Sequence, residues 1–551
     1  MSPIVREYYR VPREDRAVYI RPPAAELPAL VERNRRLLAS WDFEFAGRPF
    51  QEFRAAARAE IIALARSYAE RWGFAIEKDW SEPMPVIATG HQPTPFHPGV
   101  WIKNFLAGSL AAAVGGVALN LAVDSDEGTW HVLRFPTGTP GQAGAEVRVA
   151  EVKLAAAGGV AFEEQPASGL PPQAAEEVLA ALPAGLLRDA FRRWRLLVEA
   201  AGGAGSLGEV QVVARRALEE SRGLRNLELP VSALADSGAF RLLLAELLRR
   251  HEELFAAYNG ALAEYRRVYR ERSAAQPVPD LARRGPRVEL PFWVWRPGEP
   301  RRRLWVEPAS GGRAPSGETR APQAGRLNRL TLLAEGEAIG ALSEGDIADA
   351  RRAAARLAEF RKAGWKIRPR ALALTLFVRM ALGDVFIHGL GGALYDKITD
   401  GVFERLLGVR APEMILASCT VRLPIGSYPS TPKDLEAARR LVRDWRFNAD
   451  RLLAAATRAR PEAAGLIDEK RRLIGHREPT REGRSRAWRR IRQINEALAV
   501  LEPDGPRAAA ERLARVEREL KWNAILQNRE YPFCLYPPEE LALFYREVTR
   551  V

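Results

Sequence analysis

Cysteine is almost absent. The chain of 551 residues has two, Cys419 and Cys534. They stand far apart with no Cys-x-x-Cys pair, which excludes a disulfide framework and fits a reducing, cytoplasmic compartment. Long hydrophobic runs are missing as well. No stretch of about 18 uncharged apolar residues occurs, so no membrane-spanning helix is expected. The opening MSPIVREYYRVPRED mixes acids and bases and lacks an apolar core, so no secretory leader is expected there. Three signatures are absent: GxxxxGK followed by Ser or Thr, GxGxxG with an acid farther on, and GxSxG. Their absence argues against a P-loop enzyme, a standard dinucleotide oxidoreductase and an α/β-hydrolase.

What is present is ample apolar material, 47% of residues, in a chain long enough for two or three domains. The net charge is +14. Such an excess raises nucleic-acid binding as one reading. The basic residues, however, are spread over most helix-like segments and interleaved with Glu. That pattern fits solvated helix faces and tolerance of small anions better than a nucleic-acid stripe.

Residues 86–131 carry the most information. An apolar run (86–88) ends in Thr89-Gly90-His91. A Pro/Gly-punctuated loop then brings His97. A helix-like segment (99–114) stops at Gly115-Gly116, and a second apolar run (117–123) ends in Asp124-Ser125-Asp126. This is a strand–helix–strand unit with polar residues gathered at the carboxyl ends of both strands, where open α/β sheets bind ligands. Of six histidines in the chain, His91, His97 and His131 fall inside it.

Elsewhere, segments 27–38 and 50–72 show helical spacing. Residues 132–170 suggest small strands or a hairpin. Segments 172–222 and 239–273 read as inserted helices, and 287–307 as a strand pair about a Pro/Gly turn. Residues 309–325 nearly lack large apolar side chains and read as a mobile loop. Strand-like 385–387 leads into His388-Gly-Leu-Gly-Gly392, a helix-like run follows (393–407), and 414–419 is another strand candidate. From 434 to 528 the chain is helical and charged. Stripes at Trp488, Ile491, Ile494, Leu498 and Leu501, and at Leu513, Val516 and Leu520, flank a Pro503-Asp-Gly-Pro506 turn and predict an antiparallel hairpin. The expected organisation is an α/β core over 1–430 with helical insertions (about 172–275), a helical hairpin over 431–530, and a tail (531–551) packing back on the core.

Three clusters point to chemistry. In the first, Gly90 lets backbone pass close to a ligand and the following helix start offers free amides to an anion. His91, His97 and Lys103 are placed to stabilise negative charge beside those amides, with Thr89, Gln92, Gly99 and Asn104 as ligand-contacting neighbours. The Thr-Gly-His sequence is one residue shorter than the Thr-x-Gly-His loop of nucleotidylyl-transfer enzymes. In the second, Asp124 and Asp126 are suited to an incoming amine or a ribose, with His131 behind them. A zinc set from His91, His97, His131 and an Asp lacks any known spacing, so no metal is assigned. In the third, His388, Gly389, Gly391, Gly392 and Tyr395, with Arg379, form a second glycine turn competent for an anionic group.

Taken together, these segments resemble the bacillithiol biosynthesis cysteine-adding enzyme family. The likeness rests on Thr89-Gly90-His91-Gln92…Phe96-His97-Pro98-Gly99, on Asp124-Ser125-Asp126-Glu127, and on His388-Gly-Leu-Gly-Gly392 with Tyr395. An aromatic strand pair and a charged helical hairpin follow in the same order. In this chain His91 replaces the first Gln of the family loop, and the family's Gly-Pro appears as Pro98-Gly99. The resemblance implies a Rossmann-like, nucleotidyltransferase-type core, a coiled-coil hairpin and a homodimer built through it. It also implies ligation of cysteine or a similar amine to a sugar-malate-like acceptor, with ATP or ADP as the nucleotide. A nucleotidylyltransferase and a basic coiled-coil scaffold or nucleic-acid-binding protein are the competing readings.

Overall fold

A computed structural model describes residues 4–76, 79–128, 132–140, 146–154, 159–167, 170–273, 275–310, 327–476 and 478–551. The chain divides into two compact units. The first comprises residues 1–135, 151–422 and 529–551, the second Pro136–Ala150 and Leu423–Asn528. The expected boundaries at 430 and 531 therefore shift by a few residues, and 136–150, assigned to the core by sequence, groups with the second unit. The loop expected at 309–325 lies almost wholly outside the described residues.

The first unit is built on two sheets. One contains β1 (Ala17–Arg21), β2 (Val86–His91), β3 (Val117–Ala122) and β4 (Leu227–Pro230). The other contains β5 (Arg287–Trp295), β6 (Arg302–Ser310), β7 (Leu327–Ala334), β8 (Glu337–Ser343) and β9 (Lys366–Pro369). The chain then returns to the first sheet with β10 (Val385–His388) and β11 (Ile415–Thr420). The first sheet runs in the order β1-β11-β10-β2-β3-β4, the second in the order β8-β7-β6-β5-β9. All neighbours in the first sheet are parallel except β1, which pairs antiparallel with β11. The second is antiparallel throughout. Its strand pair β5–β6 is the one expected about the Pro/Gly turn. Residues 132–137 and 148–153 pair as a separate two-stranded ribbon.

Strand order locates the ligand-accepting end of the first sheet. From β2 the chain steps one way to β3 and β4, then crosses back to place β10 and β11 on the other side of β2. The direction of winding reverses between β2 and β10. Loops leaving neighbouring strands at such a point diverge and leave a crevice at the carboxyl ends.

The helices used below are α1 (Phe50–Arg71), α2 (Pro98–Ala113), α3 (Leu207–Glu220), α4 (Gly238–Arg249), α5 (His251–Tyr269) and α6 (Leu390–Val402). α2 forms because Pro98 occupies its first position and His97 caps it, its Nδ1 accepting from Gly99 N at 3.1 Å. Nearly every face of α2 is apolar, with Trp101, Ile102, Phe105, Leu106 and Leu110 buried, as expected of a helix sunk in a core. It ends at Gly115, whose φ of +70° is a left-handed conformation that suits glycine. Gly116 follows because a Cβ there would strike the Pro85 carbonyl. α4 and α5 are the two helices of the 239–273 segment. Their Phe240, Leu244, Leu247, Leu254, Tyr258 and Leu262 join Val288, Phe292, Leu332 and Phe377 in one hydrophobic core. These side chains are core packing. β4, four residues ending in proline, is too short for a strand period to show in the sequence.

In the second unit, α7 (Pro432–Phe447), α8 (Pro461–Gly475), α9 (Arg481–Val500) and α10 (Asp504–Leu526) form a helical assembly. The antiparallel partner of α10 is α7, not α9. Ser430 meets Glu519 (2.7 Å), Arg439 meets Glu517 (3.2 Å), and Trp445 packs at Gly505. Ile494 and Leu498 of α9 bury against Trp445 of α7 and Ile467 of α8. The cause is local: Leu501 (φ −71°, ψ −16°) and Pro503 (φ −62°, ψ −24°) keep right-handed helical backbone, so the chain bends there without reversing. Pro503 and Pro506 sit at the start of α10, where a missing N–H is tolerated.

Candidate functional site

A cleft of about 350 Å³ opens at the carboxyl ends of β2 and β10. β2 delivers Gly90 and His91, and the start of α2 delivers His97, Gly99 and Lys103. His388, Gly389, Gly391, Gly392 and Tyr395 line the facing wall. Two regions nearly three hundred residues apart in sequence thus meet, as the polar strand ends required. Ser418 from β11 and Arg529 from the final segment complete the wall, with Glu530 also on the lining.

Arg529 reaches the cleft because the chain after 528 is fastened to α2. Phe533 N donates to the Phe96 carbonyl (2.8 Å), the Phe533 ring lies 4.7 Å from that of Trp101, and Tyr545 Oη donates to the Pro98 carbonyl (2.8 Å). A buried aromatic cluster of this kind is worth several kcal/mol, about 3–5 for one such side chain. Held there, Arg529 donates to Ser418 Oγ at 3.1 Å, while its buried Nε has no partner. Arg529 lines the cleft with a charged guanidinium, a group suited to pair with an incoming carboxylate or phosphate.

Electrostatics set the cleft apart. Lys103 is 3% exposed, and its Nζ donates to the Gly90 carbonyl at 2.8 Å. Burial, then the nearby Arg215, pushes its ammonium down to about 7. Burial, then Lys103, pushes His91 down to about 3. Burial, then Arg529 and Lys103, pushes His97 down to about 4. Both imidazoles are therefore neutral at pH 7. Because His97 Nδ1 accepts from Gly99, its Nε2 carries the proton and is a donor. A buried ammonium, a half-buried guanidinium and a neutral imidazole N–H converge on one space, an arrangement suited to a carboxylate or phosphate.

The glycines of the facing wall carry further information. Gly389 has ordinary extended backbone (φ −75°, ψ 164°), and a Cβ at Gly389 or Gly391 would meet nothing within 4 Å. Neither backbone strain nor packing requires glycine at these two positions. What a side chain there would occupy is cleft space. Gly99 is different, since a Cβ would collide with the Arg529 guanidinium and the Cys419 carbonyl.

Several expected site residues stand elsewhere. Thr89 is fully buried and donates to the Ile387 carbonyl, tying β2 to β10. Asn104 donates to Glu219 (2.7 Å) beneath the sheet, where Trp101 does the same. Asp124 does not line the cleft. Its carboxylate accepts from Ser232 N (2.8 Å) and Ser232 Oγ (2.5 Å), pinning the turn after β4. Burial, then Glu163, pushes its pKa up to about 7. Asp126 accepts from Gln92 (2.6 Å) and pairs with Arg301 (2.6 Å), so Gln92 and Asp126 brace each other outside the cleft lining. Arg379 is buried between Asp396 (2.7 Å) and Asp400 (2.6 Å) and lines a separate cavity of about 530 Å³. The acidic strand end stands outside the cleft lining because its carboxylates serve there as a helix cap and an ion-pair brace. His131 lies outside the described residues. Among the described residues, no group of three His, Cys, Asp or Glu side chains is arranged to hold a metal ion.

Three contributors escaped sequence reading. Arg529 and Ser418 carry no local signature, since only tertiary packing brings them to β2. Asp396 did leave a trace: an acid among Ala393, Ile398 and Val402 on the buried side of α6, where a carboxylate needs partners. Its partner is His388, with Nε2 3.1 Å from Asp396 Oδ2. Burial lowers the His388 pKa, and Asp396 opposes that shift. Cys419 and Cys534 are buried free thiols, and burial pushes Cys419 up to about 12, so neither is a poised nucleophile.

No protein-family model matches the chain, and comparison with curated proteins yields no match.

Proposed function

We propose that this chain is a carbon–nitrogen ligase of small anionic substrates, resembling the cysteine-adding enzyme of bacillithiol biosynthesis. In this reading it joins cysteine or a similar amine to a sugar-malate-like acceptor, with ATP as the activating substrate. The observation that carries the reading is the cation-rich cleft at the reversal of strand order, where β2, the start of α2, the glycine turn before α6 and Arg529 converge. The parallel strand order β4-β3-β2-β10-β11 supports a Rossmann-like core. The helices of the second unit supply the coiled-coil element through which a homodimer would form. A cytoplasmic location fits two buried free thiols and the lack of any described helix long and apolar enough to cross a membrane.

In this mechanism the acceptor carboxylate is activated as an acyl phosphate. The amine attacks the acyl carbon, the C–N bond forms, and the C–O bond breaks with its electron pair leaving on phosphate. Lys103, Arg529 and the His97 N–H stabilise the oxyanion that gathers charge during attack. The test is incubation of the full chain with ATP, L-cysteine and glucosaminyl-malate, read by mass spectrometry for the amide and by product analysis of the nucleotide. Amide with ADP and phosphate supports the ligase. Pyrophosphate release with a nucleotidylated product replaces it with nucleotidylyl transfer. Salt-sensitive retention of generic DNA or RNA, with no thermal stabilisation by any small anion, replaces it with the nucleic-acid reading.

A further inference from the structure

Three imidazoles border the cleft, and their hydrogen bonds give them different capacities. His97 Nδ1 is committed to Gly99 N, so its Nε2 donates. His91 Nδ1 faces the Gln92 carbonyl at 3.3 Å, and no carboxylate backs the ring. His388 alone is held by an acid. Its Nε2 lies 3.1 Å from Asp396 Oδ2, and an ionised carboxylate only accepts, so the proton of a neutral ring sits on Nε2. The Asp396 carboxylate is fully buried and fixed by Thr375 Oγ1 (2.6 Å), Thr399 Oγ1 (2.7 Å) and Arg379 (2.7 Å). That leaves His388 Nδ1 with a free lone pair. Among the described residues no hydrogen bond to it is seen, and His388, 7% exposed, lines the cleft. It points toward Gly392, where an added Cβ would stand 3.0 Å from it and 3.5 Å from Tyr395 Oη. Glycine at 392 keeps this nitrogen open to the cleft.

We infer that His388 is the general base of the reaction, accepting the nucleophile's proton on Nδ1, and that Asp396, held by Arg379, is the positioning residue that fixes its tautomer. This inference rests on the proposed ligase reading. As the neutral amine forms its bond to the acyl carbon of the acyl phosphate, its nitrogen becomes positive. That N–H proton passes to Nδ1, its electron pair stays on the amide nitrogen, and the ring becomes an imidazolium facing Asp396. The proton then leaves to solvent through the cleft. The charged and titratable groups around the ring are Asp396 and Tyr395 of α6, Arg379 from the helical turn before β10, and Lys103 of α2. Lys103 is the rival base, but a bound anion holds its ammonium protonated, and its Nζ is donating to Gly90. His91 has only a backbone carbonyl behind its ring, with no acid to balance the imidazolium that a base becomes.

The test uses the full chain labelled with ¹⁵N-histidine, the His388 ring being assigned by loss of its signals in His388→Gln. The expected result at pH 7 is a neutral ring protonated on Nε2. In Asp396→Asn an amide N–H faces Nε2, the tautomer flips to Nδ1–H, and kcat for amide formation falls by roughly three to four orders of magnitude with KM nearly unchanged. If Asp396→Asn fails to fold, Gly392→Ala serves: the Nε2–H tautomer persists while kcat falls. A ring protonated on Nδ1 in the unsubstituted protein, or a kcat and pH profile unmoved by these substitutions, overturns the inference. If the unsubstituted protein forms no amide from L-cysteine, glucosaminyl-malate and ATP, the ligase reading fails by itself. The tautomer then decides whether His388 Nδ1 is an available base.

Discussion

Lys103→Met should make the protein more stable and less able to bind anions. An ordinary lysine titrates near 10.5; this one titrates at about 7 because it is buried beside Arg215 with its ammonium on a single carbonyl. At about 1.4 kcal/mol per pH unit, that displacement means the folded state holds the charge against roughly 5 kcal/mol of lost solvation. Methionine fills similar volume without charge, but leaves the Gly90 carbonyl unpaired, which costs roughly 1–3 kcal/mol. The net expectation at pH 6 is a gain of roughly 2–4 kcal/mol. The folded pKa lies below the unfolded one, so between the two the unfolded state binds more protons and the unsubstituted protein gains stability as pH rises. The advantage of the variant should shrink by about 1.4 kcal/mol per pH unit above pH 7. The neighbouring imidazoles, lowered to about 3 and about 4 from an ordinary 6.5, add nothing to the slope above about pH 7.5. Urea midpoints followed by tryptophan fluorescence from pH 6 to about pH 9 measure the difference. L-malate or inorganic phosphate should raise the unfolding midpoint of the unsubstituted protein and leave that of the variant unmoved. A variant less stable by a constant amount at every pH would refute the account, since Lys103 would then be a structural donor and not a charge held for a ligand.

Other substitutions separate site from scaffold. His91→Ala should reduce turnover by altering the cleft wall while changing the melting temperature only modestly, because the ring makes one long contact to a backbone carbonyl and one edge contact to Phe96; a large loss of stability would mark it as structural instead. Gly391→Leu should fold normally, with about 0.5–1 kcal/mol gained from helix propensity, and lose anion-induced thermal stabilisation because its side chain fills the cleft. Arg379→Gln should lower stability by about 3–5 kcal/mol, as it strands Asp396 without its charged partner, and a thermal melt within a degree of the unsubstituted protein would contradict the pairing. Anion affinity measured by calorimetry should fall as pH rises through about 7, the range in which Lys103 loses its charge, and Lys103→Met should flatten that dependence.

Much of this was readable from residue order alone, because the signals were local. Parallel strands buried on both faces read as short apolar runs, as at 86–88 and 117–123, and the glycines that end them mark turns. The helix from 98 announces itself through proline at its start and glycine past its end. His91 and the His388 turn were legible because they stand at strand ends, and His97 and Lys103 because they stand at the start of the helix that follows. What tertiary structure alone decided is which of the polar residues so placed are spoken for. Asp124, Asp126, Thr89 and Asn104 occupy positions as promising as those of His91 and Lys103, yet their partners, Ser232, Arg301, Ile387 and Glu219, lie far along the chain or have no pattern tying them together. Arg529 enters the cleft only because Phe533 and Tyr545 pack on α2. α10 pairs with α7 because a three-residue bend kept its helical hand. Periodicity and punctuation fix elements and strand ends, since those depend on near neighbours; charge balance and pairing depend on long-range contacts that no local pattern encodes.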